Sequence, residues 1–387
     1  MRVVFVSPEY PESPPKPNTG GLAANTWIIA RGLARRGVET CVVTRSEDGE
    51  TSSTREEGVL VERLAGRWFG NRSLERLYRM RHTAAVARRF RPDIVQAAEW
   101  EADGWWLARW SKVPLITRLA TPTYLVEELN REPSGRSNWL LHRLERDQTI
   151  RSDAVMAPTH AIADRVSRDW GLDKRRMSVI PCAIEVERMR RVAATEPSIQ
   201  LPERFIAFVG RLERRKGVEV LAEALPRVLA AHPDISVLFI GGVGSSEVKE
   251  RMQRLLSPVR DQVVFAGEFA HLAVLPIVAR AEIVVLPSLW EAFGNAGLEA
   301  MTLGRPVIAT LSSGFSDYIE HERTGWLVPP GEVDPLAQRL LECLVDKESL
   351  RRVGEEAARA AERYDVENVA GEVLSLYELV LSKKSSG

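Results

Sequence analysis

The chain is poor in cysteine and histidine and carries no surplus charge. Cys41, Cys182 and Cys343 are the three cysteines among 387 residues, far apart and without a C-x-x-C pair. That count speaks against a disulfide framework and predicts a reducing compartment with the thiols buried as small apolar groups. The 53 basic residues balance 53 acidic ones, so no global field recruits nucleic acid or an acidic membrane. No apolar run approaches the roughly 18 residues that a membrane span needs. The N-terminal run, "VVFV", stops at Ser7 and Pro8, too soon for a signal peptide. A cytoplasmic protein without nucleic-acid partners is the expectation. Neither a Walker A nor a G-x-G-x-x-G motif is present.

What is present is a rhythm. Short runs rich in Val and Ile, such as "RVVFVSP", "TCVVTR", "DIVQAA" and "PLITRL", then "RFIAFVG", "ISVLFIGG" and "EIVVLPS", alternate with longer helical stretches. The runs are continuous in apolar residues, as strands buried on both faces are. Strand, helix, strand, helix predicts parallel sheets covered on both sides. The pattern occurs twice, broken at residues 185–205, which are polar and lack an apolar run. The fold class is therefore α/β, with two doubly wound, Rossmann-like domains. The first spans residues 1–185, with 366–387 returning to it, and the second spans 200–365. Ligands of such sheets bind beyond the carboxyl ends of the strands, and two such domains place the expected site in the cleft between them.

Chemistry concentrates in the loops. "GRLERRKG" follows a strand and holds Arg211, Arg214, Arg215 and Lys216 between two glycines. Basic residues at a helix start oppose the helix dipole, so a turn needing only solubility would favour acids; guanidinium and ammonium groups there suit a diphosphate. "NTGGLAANTW" opens a helix at Gly20 and Gly21, where backbone N–H groups can approach a phosphate. "EAFGNAGLEAM" places Glu291 before a turn and Glu299 one turn inside a helix beginning near Ala296, with Asn295 as its expected cap and free N–H groups at 295–297. Two carboxylates beside a diphosphate do not favour it by charge; they suit hydroxyls, such as those of sugars.

Taken together, "GRLERRKG", the E-x7-E of Glu291 and Glu299, "LEAMTLGRPVIAT" and "TGWLVPPGEVDPLAQRL" resemble a retaining glycosyltransferase of the GT-B fold, family 4. The motifs cover residues 205–345, and the N-terminal half matches by pattern. The resemblance implies a nucleotide-diphospho-sugar donor, UDP first and GDP next, and a glycan, lipid-linked or small-molecule acceptor. Arg211 and Lys216 would hold the phosphates, Glu291 the hydroxyls of the donor sugar and Glu299 those of the ribose. Gly20 and Gly21 would meet the diphosphate. Phe293, Gly294, Asn295 and Ala296 would line the sugar or distal phosphate, and the base would stack at Glu268 and Phe269. No cofactor is implied. No D-x-D occurs, so no metal is indicated either.

Two departures stand out. Family members often carry a His after the strand "PLITRL", where this chain has Ala120, and a His-rich strand end where it has Ala98 and Glu99. Glu99, Trp100 and Thr121, with His160, are the candidates for the acceptor side. A catalytically silent nucleotide-sugar binder and a sugar-nucleotide epimerase of the same shape are the competing readings; the scarcity of His counts against the epimerase. Residues 72–92 hold seven arginines against one acid. Leu74, Leu77, Tyr78, Met80 and Val86 could line an opposite face for peripheral membrane contact, and a solvated outer helix is the plainer expectation.

Overall fold

A computed structural model describes residues 1–11, 20–67, 69–132, 135–311 and 313–385. The described residues fall into two units: residues 1–11 and those from Gly20 to Ala183 form one, together with residues 366–385, and Ile184–Asp365 belongs to the other.

The first unit has β1 (Arg2–Val6), β2 (Glu39–Arg45), β3 (Ser52–Glu56), β4 (Val59–Leu64), β5 (Ile94–Ala98), β6 (Leu115–Arg118), β7 (Ala154–Ala157) and β8 (Met177–Val179). They form one sheet ordered β3-β4-β2-β1-β5-β6-β7-β8. Its pairings are parallel, with Val4 opposite Cys41 on one side and Val95 on the other. The exception is the edge strand β3, antiparallel to β4. Alternation along β1 explains the unbroken apolar run: Val3 and Phe5 join one core with Ile29 and Leu33, while Val4 and Val6 join another with Ala84 and Leu107. The last helix, Val366–Ser385, enters the first of these cores through Val369, Val373 and Tyr377. The Tyr377 hydroxyl donates to Gln96 Oε1 at 2.8 Å.

The second unit has β9 (Phe205–Val209), β10 (Ser236–Ile240), β11 (Val263–Gly267), β12 (Ile283–Leu286), β13 (Val307–Thr310) and β14 (Trp326–Val328), in the order β11-β10-β9-β12-β13-β14. All its pairings are parallel.

Residues 185–205 are more than a linker. Val186–Ala193 is a helix that buries Val186, Met189 and Ala193, and its arginines masked this sparse apolar stripe in the sequence. In the helix Arg72–Arg89, Met80 is buried among Ala102, Leu141 and Leu144 and Val86 is buried against the sheet, so neither is available for membrane contact, while Leu74 is exposed. Among the described residues no helix is long and apolar enough to cross a membrane.

Candidate active site

The strand order of the second unit marks where a ligand belongs. From β9 the chain moves outward through β10 and β11, then returns to the other side of β9 as β12. Connections leaving these two neighbours in opposite directions open a crevice at their carboxyl ends. Two loops converge there. Gly217, at φ +67°, brings them together: a Cβ at this position would overlap the carbonyl of Pro287, and the Leu289 N–H donates to the Arg215 carbonyl at 2.8 Å.

In that crevice Lys216 Nζ donates to Glu291 Oε1, and the Ser288 hydroxyl donates to the same oxygen at 3.1 Å. Arg215 lies 3.8 Å from Glu291 Oε2 and 2.8 Å from Glu213 Oε1. Burial works to raise the Glu291 carboxyl, but the Lys216 and Arg215 cations outweigh it and hold the group below its ordinary 4.5. The same burial pulls the Lys216 ammonium below 10.5. Arg211 stands at the exposed edge of this cluster: its side chain is 59% exposed and lies 3.4 Å from Glu213 Oε1, the oxygen that Arg215 also meets, and it does not reach Glu291.

The helix after Glu291 runs Asn295–Thr302, and its cap is Gly294 rather than Asn295. Gly294 takes φ +86°, and a Cβ there would collide with the Phe315 ring. Glycine is therefore demanded both by conformation and by space. The Gly297 N–H, expected to be free, donates to the Gly294 carbonyl at 2.9 Å. Leu298 and Met301 face the core. Phe293 is also buried, its ring centroid 5.1 Å from that of Tyr318. Glu299 meets His271 Nε2 at 2.7 Å, and this carboxylate raises the imidazole pKa. Glu268 is exposed and Phe269 half-buried just past β11.

The remaining sequence candidates lie in the first unit. Gly20 caps the helix Gly21–Arg35 in extended conformation without a side-chain contribution. Glu99, at the end of β5, is wholly buried, so it faces no acceptor directly. Its Oε2 accepts the Ala120 N–H at 2.7 Å. A second buried carboxylate, Glu145, accepts the Glu101 N–H at 3.1 Å, the Thr123 N–H at 3.0 Å and the Thr123 hydroxyl at 2.6 Å. Burial raises both acids, Glu99 to about 7 and Glu145 to about 8. Between them Glu101 and Ala102 hold φ of 65° and 52°, a strained conformation for non-glycine residues. Trp100 and Thr121 are half-buried, and His160 is an exposed first residue of a helix capped by Thr159.

Two family models match the chain in succession: "Glycosyltransferase Family 4" over residues 19–188 and "Glycosyl transferases group 1" over 192–360. The chain belongs to glycosyltransferase family 4. A glycogen synthase of Mycobacterium tuberculosis is 28% identical across 97% of this chain and 94% of its own length. The 2-deoxystreptamine N-acetyl-D-glucosaminyltransferase of Streptomyces fradiae is also 28% identical, across 95% and 93%. Among solved structures, sucrose-phosphate synthase from Thermosynechococcus elongatus superposes with a TM-score of 0.80 at 19% identity, covering 99% of this chain and 100% of that one. Anabaena HepE, solved with UDP and glucose, gives 0.75 at 19% identity over 98% and 99%. These likenesses establish the GT-B fold of this glycosyltransferase.

Sequence reasoning left three side chains of the glycosyltransferase's crevice without roles. Arg215 stood in a basic run with nothing to single it out. Ser288 lay unremarked in a strand-end "PS". His271 sat inside "GEFAHL" but was not paired with Glu299. The signal for His271 was its place after β11, on the same strand-end side as Glu299.

Proposed function

We propose that this glycosyltransferase moves a hexose-type sugar from a nucleotide-diphospho-sugar, UDP-linked first and GDP-linked next, to a hydroxyl of a glycan, lipid-linked or small-molecule acceptor. Anomeric configuration is retained and no metal is required. The buried Lys216–Glu291 pair at the β9/β12 crevice carries this reading. It sets a fixed cation for a leaving phosphate beside a carboxylate kept ionised for sugar hydroxyls. Anabaena HepE, of the same fold, is solved with UDP-glucose, which supports UDP as the first carrier to test. The three cysteines are buried and free, in keeping with a cytoplasmic setting.

In this scheme Lys216 turns from Glu291 to a phosphate oxygen, and the exposed Arg211 folds in as a second cation. Arg215 and Ser288 stay on Glu291, so the carboxylate is not orphaned when Lys216 leaves. Glu291 then accepts hydroxyl donors of the sugar, and Glu299, held by His271, those of the ribose. The bond from the anomeric carbon to the diphosphate breaks and the acceptor oxygen bonds to that carbon on the same face. The acceptor proton passes to the leaving phosphate, whose growing charge the two cations stabilise.

Thermal-shift screening against UDP-, GDP-, ADP- and dTDP-sugars tests donor binding, since a ligand of the folded state raises the melting point. NMR of the product anomer with the best donor tests the reaction. An inverted product, or no shift with any donor, refutes the proposal. A shift without turnover on any acceptor would make the chain a silent binder.

A further inference from the structure

A cavity of about 190 Å³ opens in the first unit at the carboxyl ends of β1, β2 and β4. Part of its wall is the helix Arg72–Arg89, which presents Glu75, Tyr78, Arg79 and His82 to it. Those positions recur at i, i+3, i+4 and i+7, the spacing at which a helix lying on a sheet carries apolar residues. One turn later the same stripe reaches Val86, which is buried. The helix thus switches from a polar to an apolar inward face where the strands beneath it begin.

Arg79 is held in place. Its Nε donates to Asp103 Oδ1 at 2.8 Å and its Nη2 to Glu101 Oε2 at 2.9 Å. Arg45, from the end of β2, donates to Asp103 Oδ2 at 3.0 Å and to the same Glu101 oxygen at 3.1 Å. The two guanidiniums and two carboxylates cancel, and Arg67 and Glu75 on the wall cancel as well. A site for a phosphate would keep a surplus of cations. This one instead interleaves donors and acceptors around a Tyr ring. Thr44, also on the wall, buries a hydroxyl with no hydrogen-bond partner, an arrangement that proteins avoid unless something else satisfies it.

We infer that this cavity binds one neutral polyhydroxylated ring, a hexose or cyclitol, as the acceptor or its terminal residue. The volume lies below the roughly 300–1,000 Å³ of pockets for drug-sized ligands and suits a single ring. Naming the ring an acceptor rests on the transferase reading above; the binding itself does not.

Saturation-transfer NMR and calorimetry on the full chain test it, with methyl α-glucoside and myo-inositol as neutral probes and inorganic phosphate as the charged one. A neutral probe should bind at millimolar concentration, and His82→Ala and Thr44→Val should each weaken it about 3- to 10-fold, the worth of one hydrogen bond. Thr44→Val should melt no lower than wild type, since it removes an unpartnered hydroxyl. Donor hydrolysis without acceptor should be unchanged in both variants. Failure of both neutral probes, binding of phosphate in their place, or unaltered binding in both variants would overturn the inference. Ring binding in a chain that proves inactive on every donor would sustain it while removing the transferase reading.

Discussion

Glu99 accepts the Ala120 N–H through one carboxyl oxygen at 2.7 Å, and its whole side chain is buried. Glu99 and Ala120, the two positions where the resemblance led us to expect histidine, are therefore one device in this chain. A carboxyl at the end of β5 holds the backbone that follows β6, and Glu145 holds the next turn of that backbone from below. Neither acid is free to act on an acceptor. Their work is to position residues 120–123.

This arrangement makes stability depend on pH in a definite direction. Burial raises the Glu99 carboxyl to about 7 from an ordinary 4.5, against weaker help for the anion from the Ala120 N–H and Arg118, and the neighbouring Glu145 is raised to about 8. A folded state that holds its protons more tightly loses stability as pH rises from about 4.5 and levels off above about 8. Glu99→Gln keeps the acceptor for Ala120 and removes one of the two protons. It should gain little over wild type at pH 5 and melt clearly higher at pH 8, where the full shift corresponds to about 3 kcal/mol. Equal melting differences at both pH values, followed by calorimetry, would show that Glu99 does not titrate in this range.

The strands were legible because burial on both faces leaves an unbroken apolar run; Val3 to Val6 feed two cores alternately. The same logic hid β3, an exposed antiparallel edge reading "SSTRE", and β14, whose three residues lie in a stretch that reads as turn. Lys216, Glu291 and Glu299 were legible as candidates because they lie in the loops and helix start that follow strands. Which cation meets which acid was not, since that depends on β9 and β12 being neighbours while β10 and β11 separate them in the chain. Gly294, not Asn295, caps the following helix because the nearby Phe315 ring excludes any side chain, a constraint that only the fold reveals.

The Lys216–Glu291 pair should separate stability from catalysis. Removing one partner of a buried pair costs about 3–5 kcal/mol, whereas removing both is much better tolerated. Lys216→Met should therefore lower the melting point, and Lys216→Met with Glu291→Gln should recover most of it. Turnover should stay at least about 10²-fold down in both. Recovery of the rate along with the fold would mean that the pair is structural.

Chelation tests the absence of a metal from the proposed chemistry. Turnover measured after EDTA treatment and gel filtration should match that of untreated enzyme, because Lys216 and Arg211 are protein-borne charges that no chelator removes. Restoration of a lost rate by added magnesium or manganese would assign the leaving group's stabilisation to a cation instead.

Arg211 and Arg215 look alike in "GRLERRKG" but occupy opposite situations, and substitution should tell them apart. Arg215 is 10% exposed between Glu213 and Glu291, so Arg215→Ala leaves two buried carboxylates under-compensated and should lower the melting point by several degrees. Arg211 is 59% exposed, and exposed ion pairs contribute about 0–1 kcal/mol, so Arg211→Ala should melt like wild type. Its effect should fall on turnover, about 10²-fold with donor saturating, since its proposed partner is the charge that develops on the leaving diphosphate. Thermal melts and single-turnover rates on the two variants decide this. An Arg211→Ala enzyme as fast as wild type would transfer the role of second cation to Arg215.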